Sequence, residues 1–137
     1  MQQITYKPKL TFVIPFQFRP DRIIHLRRVV DWLQGFQGGE ILIVEQGKNS
    51  HLNGLSIRAK HIFVESDMPF NKSWLYNIAL KRISSPLVIL LEGDVIMNPH
   101  HFIEALKIAE NYDCVIPCNN MIKLSVQESQ QDFNSIL

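Results

Sequence analysis

The sequence predicts an α/β fold of three layers, with helices on both sides of a mainly parallel sheet. Short aliphatic runs alternate with segments of helical periodicity, and each run closes on Pro, Gly or a polar cluster, the pattern of β-α-β units. The chain has 137 residues, and domains of about 100–150 residues are the commonest. One domain over residues 1–137 is therefore expected, with 118–137 as a less ordered tail.

The first strand is Leu10 to Ile14, closed by Pro15. A helix then starts at Pro20-Asp21 and puts Ile23, Leu26, Val30 and Leu33 on one face. Gly35 and the pair Gly38-Gly39 are expected to end it. The second strand, Glu40 to Val44, delivers Glu45-Gln46-Gly47 at its carboxyl end, and Lys48 to Lys60 reads as loop. A third strand, His61 to Val64, runs into Glu65-Ser66-Asp67. The next helix, Lys72 to Ile83, gathers Leu75, Ile78, Ala79 and Ile83, leaving Lys72, Tyr76, Lys81 and Arg82 off the core face. Phe70 and Trp74, near its start, are either core or cleft-lining, with packed aromatics the preferred reading.

Ser84-Ser85-Pro86 stops that helix, and the fourth strand, Leu87 to Leu91, is apolar on both faces, which places it at the centre of the sheet. Asn98-Pro99 reads as N-cap and first position of a helix to Asn111, with Phe102, Leu106 and Ala109 inward. Cys114 to Pro117 is expected as a fifth strand and Met121 to Val126 as one more. Same-face residues four apart on a strand lie about 13 Å from each other, too far for a disulfide. Cys114 and Cys118 therefore read as two buried thiols.

Hydrophobic residues make up 46% and charged residues 20% of the chain, a globular composition. A net charge of +1 argues against a general nucleic-acid surface, which needs a basic excess to displace counterions. No apolar run approaches the roughly 18–20 residues of a membrane span, and the start of the sequence lacks a signal-peptide layout. A cytoplasmic protein without an integral membrane segment is expected.

In open α/β sheets ligands bind beyond the carboxyl ends of the strands, and here every such end carries polar residues. "LLEGDVIM" sets Glu92 and Asp94 around Gly93 directly after an aliphatic run. Carboxylate oxygens suit Mg²⁺ or Mn²⁺, and one or two carboxylates plus ligand phosphates are the usual Mg²⁺ set. Glycine between them lets the backbone turn and a bulky ligand approach. A strand-to-turn junction in which Asp94 bonds local N–H groups explains the same residues. Neither Rossmann nor Walker glycine spacing is present, which lowers dinucleotide binding and nucleotide hydrolysis as functions.

The segments "TFVIPFQFRPD", "ILIVEQG" and "FNKSWLYNIALKRISSPLVILLEGDVIMNP" resemble the nucleotide-sugar-binding half of GT-A fold glycosyltransferases. The likeness is to family-two enzymes and to galactosyltransferase and chondroitin-polymerase type domains, over about Leu10 to Pro117. It implies a truncated GT-A core with Pro15, Phe16 and Arg19 beside the nucleotide. Glu45 would hold the base or ribose, and Asn71, Lys72 and Asn77 would border the base and diphosphate. Glu92 and Asp94 would fill the family's Asp-x-Asp motif, with Asp94 the direct ligand of Mn²⁺ or Mg²⁺ and Glu92 nearer the ribose or a metal-bound water. Lys72 could share the metal's work of neutralising the departing nucleoside diphosphate. The resemblance implies transfer from a nucleotide-diphosphate sugar, UDP-sugar first, to an acceptor hydroxyl.

Glu45 and Glu92 stand where the family more often carries Asp. Of the later carboxylates, Glu104 and Glu110 fall on the helix after the acidic triplet, Asp113 follows it, and Glu128 and Asp132 lie in the tail, so no catalytic residue is named. His100 and His101 read as exposed histidines opening a helix. Two further readings stay open: a nucleotide-sugar-binding module that needs a partner chain or self-association, and a degenerate interaction domain.

Overall fold

In the computed structural model residues 4–131 are described, apart from the side chains of 4–8 and 37–38. Asp132 lies outside them. The chain divides into two compact units, 2–95 and 96–137. The first holds the whole sheet: β1 (Ile4–Phe16), α1 (Pro20–Leu33), β2 (Phe36–Gly47), β3 (Lys60–Glu65), α2 (Lys72–Leu80) and β4 (Leu87–Leu90). All pairings are parallel and the order is β3-β2-β1-β4. This is the expected α/β architecture, a Rossmann-like sheet flanked by helices.

Alternation along β1 divides the core into two layers. Val13 joins Leu42, Val44, Leu75 and Ala79 in a buried cluster against α2, with Ile78, Ile83 and Tyr76 packed on it. On the other face Phe12 meets Phe36, which stacks edge-on with Trp32 of α1 at 5.4 Å. Leu26, Val30 and Leu33 are buried as the helical periodicity required. Thr11, also buried, bonds Ser85 at 2.6 Å and fixes the approach to β4.

Several boundaries differ from expectation, each for a physical reason. β1 and β2 extend well beyond their aliphatic centres because they pair with each other from Ile4↔Phe36, with a register shift between Thr5 and Leu10. Gly38 and Gly39 therefore lie inside β2, and α1 stops at Leu33 with Gln34 as C-cap. β4 sits at the sheet edge rather than its centre, and Leu90 is 51% exposed. An apolar run reports neither the neighbours nor the cover of a strand: β4 pairs with β1 alone among the described strands, its first three residues are half-buried and its last is exposed. α2 ends at Leu80, short of Ile83, and Trp74 is exposed instead of packed.

In the second unit α3 (Pro99–Ala109) is capped by Asn98, which accepts from the His100 N–H at 3.0 Å, and buries Phe102 and Leu106. His100 and His101 are exposed. Neither expected later strand forms. Residues 114–117 are irregular, and at the far end of the 121–126 run a short helix, α4 (Val126–Ser129), starts from a Ser125/Glu128 capping box. An apolar run needs a strand to pair with, and no described strand pairs with these. Cys114 and Cys118 are accordingly exposed free thiols, not buried ones. No helix among the described residues is long and apolar enough to cross a membrane.

Gly39 is required by packing. A Cβ there would lie 2.6 Å from Cε2 of Phe12 and 3.1 Å from Cδ1 of Leu10, and both neighbours are fully buried. Gly39→Ala is expected to cost about 1–3 kcal/mol through overpacking, read as a lower urea midpoint at unchanged slope; an unaltered midpoint would refute this packing account.

Candidate functional site

The strand order creates one topological switch point: the chain leaves β1 towards β2 and β3 on one side, then returns through α2 to place β4 on the other. Ligands of such sheets sit in the crevice opened there. A cleft of about 230 Å³ lies at this position. The end of β1 supplies Pro15, Phe16 and Gln17, and α1 supplies Arg22 and His25. Phe70 and Lys72 come from the start of α2, and Glu92, Gly93 and Asp94 follow β4.

The end of β4 is held on two sides. Leu91 N–H donates to the Val13 carbonyl at 2.9 Å, and the Tyr76 hydroxyl donates to the Leu91 carbonyl at 2.8 Å. Burial, then the charge of Glu92, push the Tyr76 hydroxyl up to about 12, so it stays a donor across the neutral range. The next residue, Glu92, pairs through Oε1 with the Lys72 ammonium. Both side chains are about half exposed (47% and 51%), and pairs of that kind contribute about 0–1 kcal/mol. Asp94, exposed on the same turn, makes no ion pair with a described residue. Among the described residues no group of three or more His, Cys, Asp or Glu side chains is gathered to hold a metal.

Lys72 is placed by a chain of bonds that starts in β2. Gln46, 1% exposed, accepts the Asn71 N–H at 3.0 Å and donates to the carbonyls of Met68 (3.1 Å) and Pro69 (3.2 Å). Asn71 then caps α2, its side chain accepting from the Trp74 N–H at 3.0 Å.

No protein-family model matches the sequence, and no curated protein does either. A solved structure of CMP:2-keto-3-deoxy-manno-octonic acid synthetase complexed with CTP is similar in fold, with a TM-score of 0.59 at 14% identity. The match covers 75% of this chain and 48% of that one, so the chain spans about half the length of that protein. At this identity the likeness shows the fold.

Of the residues the resemblance singles out, Pro15, Phe16, Lys72, Glu92 and Asp94 come together on the cleft. Arg19, Glu45, Asn71 and Asn77 are not among its lining residues. Arg19 forks onto Asp21, Nε to Oδ1 at 3.1 Å and Nη2 to Oδ2 at 3.2 Å. Asn77 is exposed on α2. Glu45 is 1% exposed and its oxygens accept from the Ser50 hydroxyl (2.9 Å), the His51 N–H (2.7 Å) and His61 Nε2 (2.9 Å). His51 in turn stacks on Phe18, ring centroids 4.1 Å apart.

Sequence reasoning missed Gln17, Arg22 and His25. Arg22 and His25 are three apart on a helix, the spacing that puts side chains on one face, and that spacing was the available signal. Gly93 needs no special backbone: its φ lies outside the left-handed region, and a Cβ would meet Ile14 and Leu26 at an ordinary 3.6 Å. The expected role of this glycine in turning the chain is therefore not required.

Two outcomes follow from these bonds. Glu45→Gln removes charge-assisted bonds from a buried position and is expected to lose about 1.5–3 kcal/mol of stability, measured by urea unfolding. Unchanged stability with weaker ligand binding would instead assign Glu45 to the ligand. Tyr76 has a folded value raised above the ordinary 10, so the unfolded chain loses its proton first. Stability contributed by this group is complete below about pH 10 and falls as pH rises towards 12. Tyr76→Phe should flatten that decline; an identical alkaline profile would contradict it.

Proposed function

We propose that the chain binds a nucleotide-diphosphate sugar, with UDP-sugars the first class to test, at the β1–β4 switch point together with Mn²⁺ or Mg²⁺, and passes the sugar to an acceptor hydroxyl. One observation carries this reading: the Glu92–Asp94 turn and Lys72, 20 residues before Glu92 in sequence, converge on one cleft at the position where α/β sheets take nucleotides. The fold neighbour was complexed with CTP, which supports a nucleotide as the ligand class.

The donor set fits a hard cation. Two carboxylates flank Gly93, and Mg²⁺ is commonly held by one or two carboxylates plus substrate phosphates, without a complete protein cage. Asp94 would hold the ion, with Glu92 released from its weak pair to Lys72. Bound there, the ion would offset the negative charge of the departing diphosphate. Charge balance supports the same arrangement: the two carboxylates on the cleft wall match Arg22 and Lys72 in number, so a diphosphate entering there adds negative charge that a divalent ion at Asp94 would offset. The cleft is smaller than the roughly 300–1,000 Å³ of pockets that enclose a drug-sized ligand, so it takes the diphosphate and adjacent sugar and leaves the nucleoside at the rim.

A second reading is favoured by the later carboxylates. Glu104 pairs with Lys107, and the Glu128 carboxylate accepts the Ser125 N–H, which holds it below the ordinary carboxylate range. Glu92 and Asp94 are the carboxylates on the cleft wall. Binding without transfer, with the acceptor side supplied by a partner chain or a second copy, explains that arrangement.

A thermal-shift panel of nucleotide-diphosphate sugars with and without MnCl₂ tests the proposal. Ligand at 100 times its Kd adds about 2.7 kcal/mol, expected as a rise in Tm of several degrees. Asp94→Asn should remove the manganese-dependent part of the rise. If no nucleotide sugar shifts Tm with or without manganese, the reading fails; if the shift occurs but no sugar is transferred or hydrolysed, binding alone stands.

A further inference from the structure

We propose that Arg22, with His25 beside it on α1, is the phosphate-anchoring residue of this cleft and sets its preference for ligands carrying a diphosphate; this rests on the nucleotide-diphosphate reading of the site. The sequence offers two arginines around the start of α1, Arg19 and Arg22, and the structure separates them. Arg19 is the N-cap residue, in extended backbone; the Nε/Nη2 edge of its guanidinium is bonded to Asp21 and its side chain does not line the cleft. Arg22 is one residue beyond Asp21, inside the helix, and its side chain reaches the cleft.

Arg22 has no carboxylate partner among the described residues. Its guanidinium carbon lies 5.9 Å from the centroid of the Phe70 ring, within the range of a cation–π contact. A cation–π contact uses none of the guanidinium's N–H donors, so they remain for an anion, and their planar fork matches two phosphate oxygens at once. Lys72, the other permanent cation on the cleft wall, is already paired with Glu92. Arg22 is thus the cation that an entering phosphate meets without first breaking an ion pair. His25, three residues on, lines the same cleft and offers a ring nitrogen to a neighbouring oxygen.

The assignment is tested by titrating the full chain with inorganic pyrophosphate and with uridine diphosphate, each with and without Mn²⁺, by calorimetry. Arg22→Ala is expected to weaken both ligands about tenfold or more, with the urea midpoint unchanged. Arg22→Lys, which keeps the charge but loses the fork, should fall between Arg22→Ala and wild type and serves as the folded comparison. Arg27→Ala, exposed on the same helix, should bind as wild type. Wild-type affinity in Arg22→Ala overturns the anchor, while uridine diphosphate binding in that variant leaves the function standing. Arg22-dependent pyrophosphate binding with no response to uridine diphosphate keeps the anchor and removes the nucleotide reading. A loss in Arg19→Ala but not in Arg22→Ala moves the role to Arg19, and no binding of either ligand by wild type overturns both.

Discussion

The site depends on one buried amide. Gln46 ends β2 almost without exposure, and its side chain spans to the segment ahead of α2, accepting from Asn71 and donating to Met68 and Pro69. An unpaired buried amide carries a desolvation penalty of about 1–3 kcal/mol, so the segment cannot drift without exposing that penalty. Asn71 is then in place to cap α2, and Lys72 follows on the first turn within reach of Glu92. The neighbouring residue, Glu45, does the corresponding work towards the other side, tying Ser50, His51 and His61 together. Of these two consecutive polar residues at the end of a central strand, Gln46 holds the segment that brings Phe70 and Lys72 to the cleft, and Glu45 holds a loop that does not line it.

Strong and weak interactions are distributed unevenly around the cleft. Those that set position are buried or half-buried: the β1–β4 pairing, the Leu91 carbonyl bonded by Tyr76, the Gln46 amide. The charges that would meet a ligand are exposed and loosely held, as the half-exposed Lys72–Glu92 pair shows. A rigid frame with replaceable charges lets a ligand exchange partners at little cost while the strand ends stay where they are.

Much of the fold was legible because it rests on periodicity. The aliphatic centres of four strands and the inward faces of α1 and α2 follow from period-two and period-3.6 patterns that burial then enforces. What the pattern could not carry was partnership. Gly38-Gly39 reads as a helix stop until β1 is known to pair alongside and Phe12 to fill the space at Gly39. The β4 run says that a strand forms and nothing about its place at the edge or its exposure; the run at 114–117 has strand composition but no described strand beside it. Within the site, residues on the acidic turn and its partner lysine were legible from the resemblance. Arg22 and His25 were not, since a basic residue on a helix is usually a solvated one and only the strand order reveals that this helix face fronts a cleft.

Reach explains the two glutamates that stand where the resembled family more often has aspartate. At position 92 the extra methylene carries the carboxylate from the end of β4 to the ammonium of Lys72 on α2, joining two elements that the backbone alone brings close but does not bond. At position 45 the longer side chain lets one buried carboxylate collect a hydroxyl, a backbone N–H and an imidazole from two separate segments. Both changes move a carboxylate from an isolated acceptor towards a structural tie. Asp94, shorter and without such a tie to a described residue, is therefore the acid on this turn on which the proposed cation would depend more than on Glu92.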